Sequence, residues 1–378
     1  MLISAVPVTG DAGALDQSKV SRLQQLLADA RRREKETGRP ACADLLRTLV
    51  QEGLDRLPWP GNGETLSRWR MLAEVASHDL SLAKLFEGHT DALAILSELH
   101  AGPTPPGSTW GTWAAEPPDA RVLFTPLPGG APGQVSLQGR KAWCSGAAVV
   151  SHGLLTVWRE DDKPANPGEA VPMRGPWLAR VVMGQPGVQV SSAGWEAVGM
   201  ADSASLQIDF DGAVAELVGE AGDYLARPGF WQGGAGIAAC WWGGARALAA
   251  TLKRAVPPGA ASQQPFRAAA LGKVDMALQQ TAALLRETAE WIDHHPREDA
   301  SAVATRVRLS AEATARTVLD EVGRALGATP FCRDAAFARM AADLPVFVRQ
   351  SHADKDFAFL GGQVAGHAAS GEAQPWTL

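Results

Sequence analysis

The chain has 378 residues, 46% of them hydrophobic and 20% charged, and a net charge of −6. That is enough material for a large buried core spread over more than one domain. The acidic balance argues against a nucleic-acid partner, and no run of about 18 apolar residues marks a membrane span.

Residues 1–15 read as loose, and Met1–Gly10 has no basic region ahead of its apolar residues, so it is not a signal peptide. The spacing of Val20, Leu23, Leu26, Leu27 and Ala30 predicts a helix from Gln17 to Arg33, and Leu45–Leu54 continues in the same way. After a loop at Pro58–Gly63, Thr65 or Ser67 is expected to cap a third helix. Asp79–Leu99 is a long amphipathic pattern in which Gly88 and His89 form a weak point. Three prolines between Ala101 and Gly107 then mark a boundary.

Beyond it the period shifts towards two. Val122–Phe124, Gln134–Leu137, Ala147–Val150, Leu154–Trp158, Trp177–Met183, Val188–Val190 and Leu206–Phe210 are short strand candidates separated by turn residues. Tyr224–Gly236 is a glycine-rich connection. Helical patterns resume over Ile237–Ala255, Phe266–Ile292, Ala300–Leu326 and from Phe337 onward. The expected fold is α+β and multidomain: an N-terminal helical domain over residues 1–107, a β-barrel or sandwich over 108–222, and a C-terminal four-helix bundle over 223–378.

Cys42, Cys144, Cys240 and Cys332 are widely spaced with no CxxC pair, which argues against a zinc site or a disulfide framework and fits a reducing cytoplasm. Thirteen Trp stand against one Tyr, and such indoles belong in cores or subunit contacts. The Trp241–Trp242 pair and the long apolar helix faces point to a homodimer or homotetramer. His294 and His295 precede Pro296 at a helix end and are expected to be solvated.

The chemically distinctive stretch is Arg140–Ala147, in which Trp143 precedes Cys144, Ser145 and Gly146 in the middle of the β segment. An apolar indole face beside a short hydroxyl suits a flat cofactor that must also be hydrogen-bonded. Trp110–Pro117 and Gly199–Gly212 flank it in order along the chain. Taken in order between two helical regions, these three stretches resemble the motifs of the acyl-CoA dehydrogenase superfamily of flavoproteins. The resemblance covers nearly the whole chain.

It implies FAD bound between the β-domain and the C-terminal helices. Trp143 would lie beside the flavin ring, Ser145 near its N5, and Ala114, Ala115 and Glu116 along the pyrimidine side, with Trp113 a further flavin contact. Gly327 opens the glycine turn that serves as the C-terminal landmark. The implied reaction is α,β-dehydrogenation of an acyl thioester, possession of a catalytic Glu being part of that pattern. Here the two places where the resemblance puts the Glu read Ser351-His352 and Gly233–Gly236, neither with a carboxylate. The Arg-x-x-Phe-Gly motif for the FAD pyrophosphate is replaced by Val256–Ser262.

A second branch, the related flavin monooxygenases, takes reduced FMN or FAD as co-substrate and surrounds it with a Ser and two His. His89, Ser145 and His352 match that set, and a His serves as a base near neutral pH. Three readings therefore stand: an acyl-CoA-type dehydrogenase, a reduced-flavin monooxygenase or oxidase, and a catalytically degenerate binding or partner subunit. Each takes a small-molecule partner, with an acyl-CoA among the candidates.

Overall fold

The computed structural model describes residues 12–160, 175–369 and 376. Met1–Gly10 lies outside the described residues. Four helices come first: α1 (Ala12–Thr37), α2 (Cys42–Gln51), α3 (Thr65–His78) and α4 (Leu80–Glu98). Seven strands follow: β1 (Trp110–Trp113), β2 (Val122–Pro126), β3 (Gln134–Cys144), β4 (His152–Arg159), β5 (Trp177–Val182), β6 (Val188–Ser191) and β7 (Leu206–Val218). The rest is helical: α5 (Asp223–Ala226), α6 (Gly229–Gly234), α7 (Ile237–Ala255), α8 (Ala260–Gln263), α9 (Pro265–His294), α10 (Ser301–Leu326), α11 (Thr329–Arg333), α12 (Ala335–Phe347) and α13 (Asp354–Ala369).

The sheet closes on itself. β4 pairs with β2, β2 with β3, β3 with β7, β7 with β5, and β5 returns to β4. β1 extends along β4 in parallel and β6 along β7. Closure satisfies the strand edges that an open sheet of this size leaves to solvent. α4 packs against β1, and α7 packs on α3 as well as on α9 and α10. Helices from both ends of the chain and the inner face of the barrel thus share one apolar core.

Several expectations are corrected. Ala147–Val150 is a turn, because the Val149 and Val150 N–H groups both donate to the Gly146 carbonyl, and Gly146 adopts φ +72°. The glycine-rich connection at Tyr224–Gly236 contains α5 and α6. Neither Thr65 nor Ser67 caps α3 through its own side chain. The carboxylate of Asp293 in α9 accepts from the N–H groups of Gly63 and Thr65 and from the Thr65 hydroxyl, so the cap comes from the other end of the chain.

Gly88 does not interrupt α4. Its carbonyl accepts from the Thr112 hydroxyl of β1 at 2.7 Å. Trp241 is fully buried within the chain and the Trp242 indole donates to the Leu278 carbonyl, so this pair forms part of the subunit's own core. No helix among the described residues is long and apolar enough to cross a membrane.

Candidate flavin site at the end of strand β3

The stretch Arg140–Ala147 and the stretch Trp110–Pro117 are locked together by two polar contacts. Lys141, whose side chain is 0% exposed, donates to Glu116 Oε1 at 2.6 Å and to the Thr156 hydroxyl at 2.6 Å and carbonyl at 3.2 Å. Its three ammonium protons are thereby used. Burial lowers the Lys141 pKa, and the adjacent Glu116 carboxylate offsets part of that. Glu116 also accepts from the Trp158 indole and the Thr156 hydroxyl. The second contact is from the Trp113 indole N–H to the Ser145 carbonyl, at 3.0 Å.

Between these anchors the β3–β7 ladder is interrupted. Lys141 pairs with Ile208 and Cys144 with Leu206, so Ala142 and Trp143 bulge out. Trp143 takes φ +63°, a costly conformation for a bulky residue, and its side chain is 69% exposed. An indole held in a left-handed bulge and turned outward leaves a flat apolar face open at the strand end.

Beside it runs a chain of hydroxyls. Ser145 Oγ lies 2.7 Å from Ser205 Oγ, which lies 3.1 Å from Ser203 Oγ, and Ser203 donates to the Met200 carbonyl at 2.8 Å. A hydroxyl has one proton. Ser203 spends its own on the carbonyl, so Ser205 donates to Ser203 and Ser145 donates to Ser205. The chain leaves Ser145 Oγ with its acceptor lone pairs towards the site. The supporting loop is itself pinned, with the Met200 N–H donating to Asp343 Oδ1 at 2.6 Å and Met200 and Ala204 both at positive φ.

α4 forms the neighbouring wall. A Cβ on Gly146 would lie 2.7 Å from Leu85, so this glycine permits the helix to close on the Ser145 turn. Lys84, Glu87 and Asp91 follow one stripe of α4 and are partly exposed, although most of that helix is buried. Lys84 pairs with Glu87 at 2.8 Å, their side chains 16% and 19% exposed. Burial pulls the Lys84 pKa down, but the Glu87 charge and hydrogen bond outweigh it and the net shift is upward. Burial pushes the Asp91 carboxyl upward, with Arg227 opposing. Arg308 of α10 sits over the Trp241 ring at 5.8 Å and donates to the Gln350 carbonyl, which ties the segment ending in Ser351 and His352 to this wall.

The structure distributes the sequence candidates unevenly. Trp143 and Ser145 share the strand end, with Ala115 exposed nearby in the chain and Glu116 tied to Lys141. Trp113 is 2% exposed and its ring covers Gly111 and Gly153, so it supports Ser145 from the core rather than presenting a face.

His89 is 0% exposed. Its Nδ1 accepts from the Trp110 N–H at 3.1 Å, which places the ring proton on Nε2, 3.2 Å from Asp55 Oδ2. Both nitrogens are committed to the join between α4 and β1, where expectation had a flavin-facing base. Ser351 is buried and accepts from the Ala353 N–H, while His352 is 69% exposed and faces Asp356 at 3.5 Å. Gly327 ends α10 at φ +65°.

Sequence reasoning passed over Lys141, Ser205, Glu87, Asp91 and Arg308. For the α4 residues a signal existed: charges spaced three and four apart on a helix that is otherwise apolar.

No family model matches the chain, and no curated protein matches it. Solved structures do. TdsC, a dibenzothiophene monooxygenase from Paenibacillus sp. A11-2 solved with FMN and indole, is 21% identical with a TM-score of 0.74 over 93% of this chain and 98% of that one. Butyryl-CoA dehydrogenase from Megasphaera elsdenii is 14% identical with a TM-score of 0.75, covering 96% of this chain and 100% of its own. KijD3, solved with FMN and a dTDP-linked amino keto sugar, is 17% identical with a TM-score of 0.72, covering 98% of this chain and 97% of its own. Over nearly its whole length, the N-terminal helices included, the chain has the acyl-CoA dehydrogenase fold.

Proposed function

We propose that this chain is a flavin-dependent oxidoreductase that takes reduced flavin as a co-substrate and acts as a monooxygenase or oxidase. The Ser145–Ser205–Ser203 hydroxyl chain is the observation that carries this reading. It presents an acceptor at Ser145, and a reduced flavin offers an N–H at N5 where an oxidised flavin offers a lone pair. Trp143 supplies the apolar face, and the backbone of Ala114 and Ala115 the polar edge. These residues fit an isoalloxazine, and the flavin when bound supplies two-electron chemistry. FMN fits better than FAD, since Val256–Ser262 carries no arginine for a pyrophosphate and the neighbouring Arg254 is exposed and bonded to Thr251. TdsC and KijD3, each solved with FMN, are similar to this chain in fold and support the same choice.

Anaerobic titration tests this directly. Reduced FMN is expected to bind about fivefold tighter than oxidised FMN, the worth of one hydrogen bond of about 1 kcal/mol, and Ser145→Ala removes the preference. Equal affinity for the two redox states in the unaltered protein would refute the reading.

We assign His352 in this reading as the group that exchanges protons with solvent, its segment tied to α10 by the Arg308 bond to the Gln350 carbonyl. His352→Ala is expected to lower turnover about 100-fold, the usual worth of a general acid–base group, with flavin affinity unchanged. Unaltered turnover removes it from the site.

Glu87 and Asp91 favour a second reading, dehydrogenation of an acyl thioester with a base supplied by α4 in place of the missing Glu. Bleaching of bound flavin by an acyl-CoA without oxygen would support it. Phe266 and Met276, 90% and 58% exposed on α9, are the surface on which we place a homo-oligomer contact.

A further inference from the structure

Around the α6–α7 junction several buried donors lack partners among the described residues, and Glu312 Oε2, one turn along α10 from Arg308, is a buried acceptor without one. Among the described residues the Trp69 and Trp241 indole N–H groups, 2% and 0% exposed, have no partner, and the Arg308 Nε–H is likewise buried without one. Native interiors rarely leave such donors unsatisfied, and a group of them in one place calls for an acceptor from outside the chain.

The Trp69 indole nitrogen and the end of the Arg308 side chain lie near the glycine run Gly233–Gly236. A Cβ on Gly236 would sit 3.2 Å from Trp69 Nε1, and one on Gly234 would sit 4.0 Å from an Arg308 terminal nitrogen. Arg308 in turn stands over the Trp241 ring. Gly236 packs closely against Trp69 and Leu72, while Gly234 leaves open space beside the Arg308 side chain.

The charges agree. Arg68, 3% exposed, reaches only the Thr90 hydroxyl and the Pro58 carbonyl. Neither Arg68 nor Arg308 has a carboxylate within ion-pair distance among the described residues, and burial lowers the pKa of both. Asp91 lies against the same glycine run, 3.2 Å from the position of a Gly233 Cβ, and acts on Arg68, while Glu87 is committed to Lys84. These two acids disfavour a doubly charged group such as a phosphate, whereas a single negative charge is matched by the guanidiniums.

We infer that this recess binds the carboxylate of a small carboxylic-acid substrate, held by the Trp69 and Trp241 N–H groups and Arg308. The inference rests on the proposed flavin site, because α4 packs Leu85 against the Gly146 turn next to Ser145 and carries Asp91 against Gly233. A carboxylate bound here would direct the remainder of the substrate along α4 towards Ser145. An unbranched thioester tail has no group to satisfy these donors.

Calorimetric titration of the purified protein with benzoate, propionate, benzamide and benzylamine, each with and without FMN, decides it. At least one carboxylate is expected to bind, with benzamide tenfold or more weaker than benzoate and benzylamine not binding. Trp241→Phe, which keeps the ring and removes the N–H, should weaken the carboxylate several-fold. Arg308→Gln should weaken it at least tenfold. Equal binding of benzoate and benzamide, preference for the amine, no carboxylate binding at all, or unchanged affinity in both variants would overturn the inference. FMN affinity, measured in the same samples, reports separately on the flavin reading, so either can fail alone.

Discussion

Lys141→Met is expected to lower both the stability of the chain and its affinity for flavin. The methionine fills the same space but cannot donate, so the Thr156 carbonyl and Glu116 lose a partner inside the barrel. Breaking a buried pair by deleting one member costs about 3–5 kcal/mol, and because the Glu116 side chain is 25% exposed and can rehydrate we expect about 2–3 kcal/mol. The Ala114–Glu116 segment loses its anchor to β3, and FMN affinity should fall with it.

The double variant Lys141→Met with Glu116→Gln separates charge from packing. It should recover much of the lost stability, since no uncompensated carboxylate remains. Chemical denaturation of the single and double variants, with flavin titration on each, measures both effects. A single variant as stable as the parent chain would rule out the anchoring role of Lys141.

The second large effect concerns Asp343 in α12. It is 6% exposed, accepts from the Met200 N–H, and burial pushes its carboxyl up to about 6 from 3.8, with the Met200 hydrogen bond opposing and Asp79 adding to the rise. Asp79 is paired with Arg39, which also holds Asp202, so the carboxylates of α4 and of the loop before β7 meet near α12.

An acid whose folded pKa is raised favours folding while it is protonated. Its contribution is fully present below about pH 4 and is lost as pH rises to about 6, a loss of about 3 kcal/mol for a shift of this size. Asp343→Asn keeps an acceptor for Met200 and removes the ionisation. The variant should therefore be more stable than the parent by about 1–3 kcal/mol near pH 7, and the difference should shrink towards pH 4. Urea denaturation across that range checks the sign. A difference independent of pH would show that Asp343 does not titrate in this window. Because Asp343 pins the loop that carries Ser203 and Ser205, the Asn variant also asks whether that pin affects flavin affinity.

Periodicity alone located most helices and strands. Ile237–Ala255 is bounded in the sequence as it is in α7, and the β segment lies where the period changes. Trp143 and Ser145 were legible as a pair because an indole and a hydroxyl two residues apart are a local feature of the sequence. What local pattern could not supply was direction and partnership. Trp113 and Trp143 are the same residue type two strands apart, yet one roofs Gly153 in the core and the other is turned out by a bulge in its pairing with β7. His89 matched a motif by type and order, but its ring orientation is fixed by Asp55, 34 residues away, and by the Trp110 N–H.

The sequence by itself determined the alternation of helical and β segments, the indole–hydroxyl stretch, and the lack of a carboxylate at the expected base positions. Tertiary structure alone decided that Lys141 joins the two motif stretches, that the Ser145 hydroxyl chain ends on the Met200 carbonyl, and that Arg308 stands over Trp241 and beside Gly234. The physical reason is that hydrogen-bond direction and burial depend on groups distant in sequence, whereas helical and strand periods depend on near neighbours.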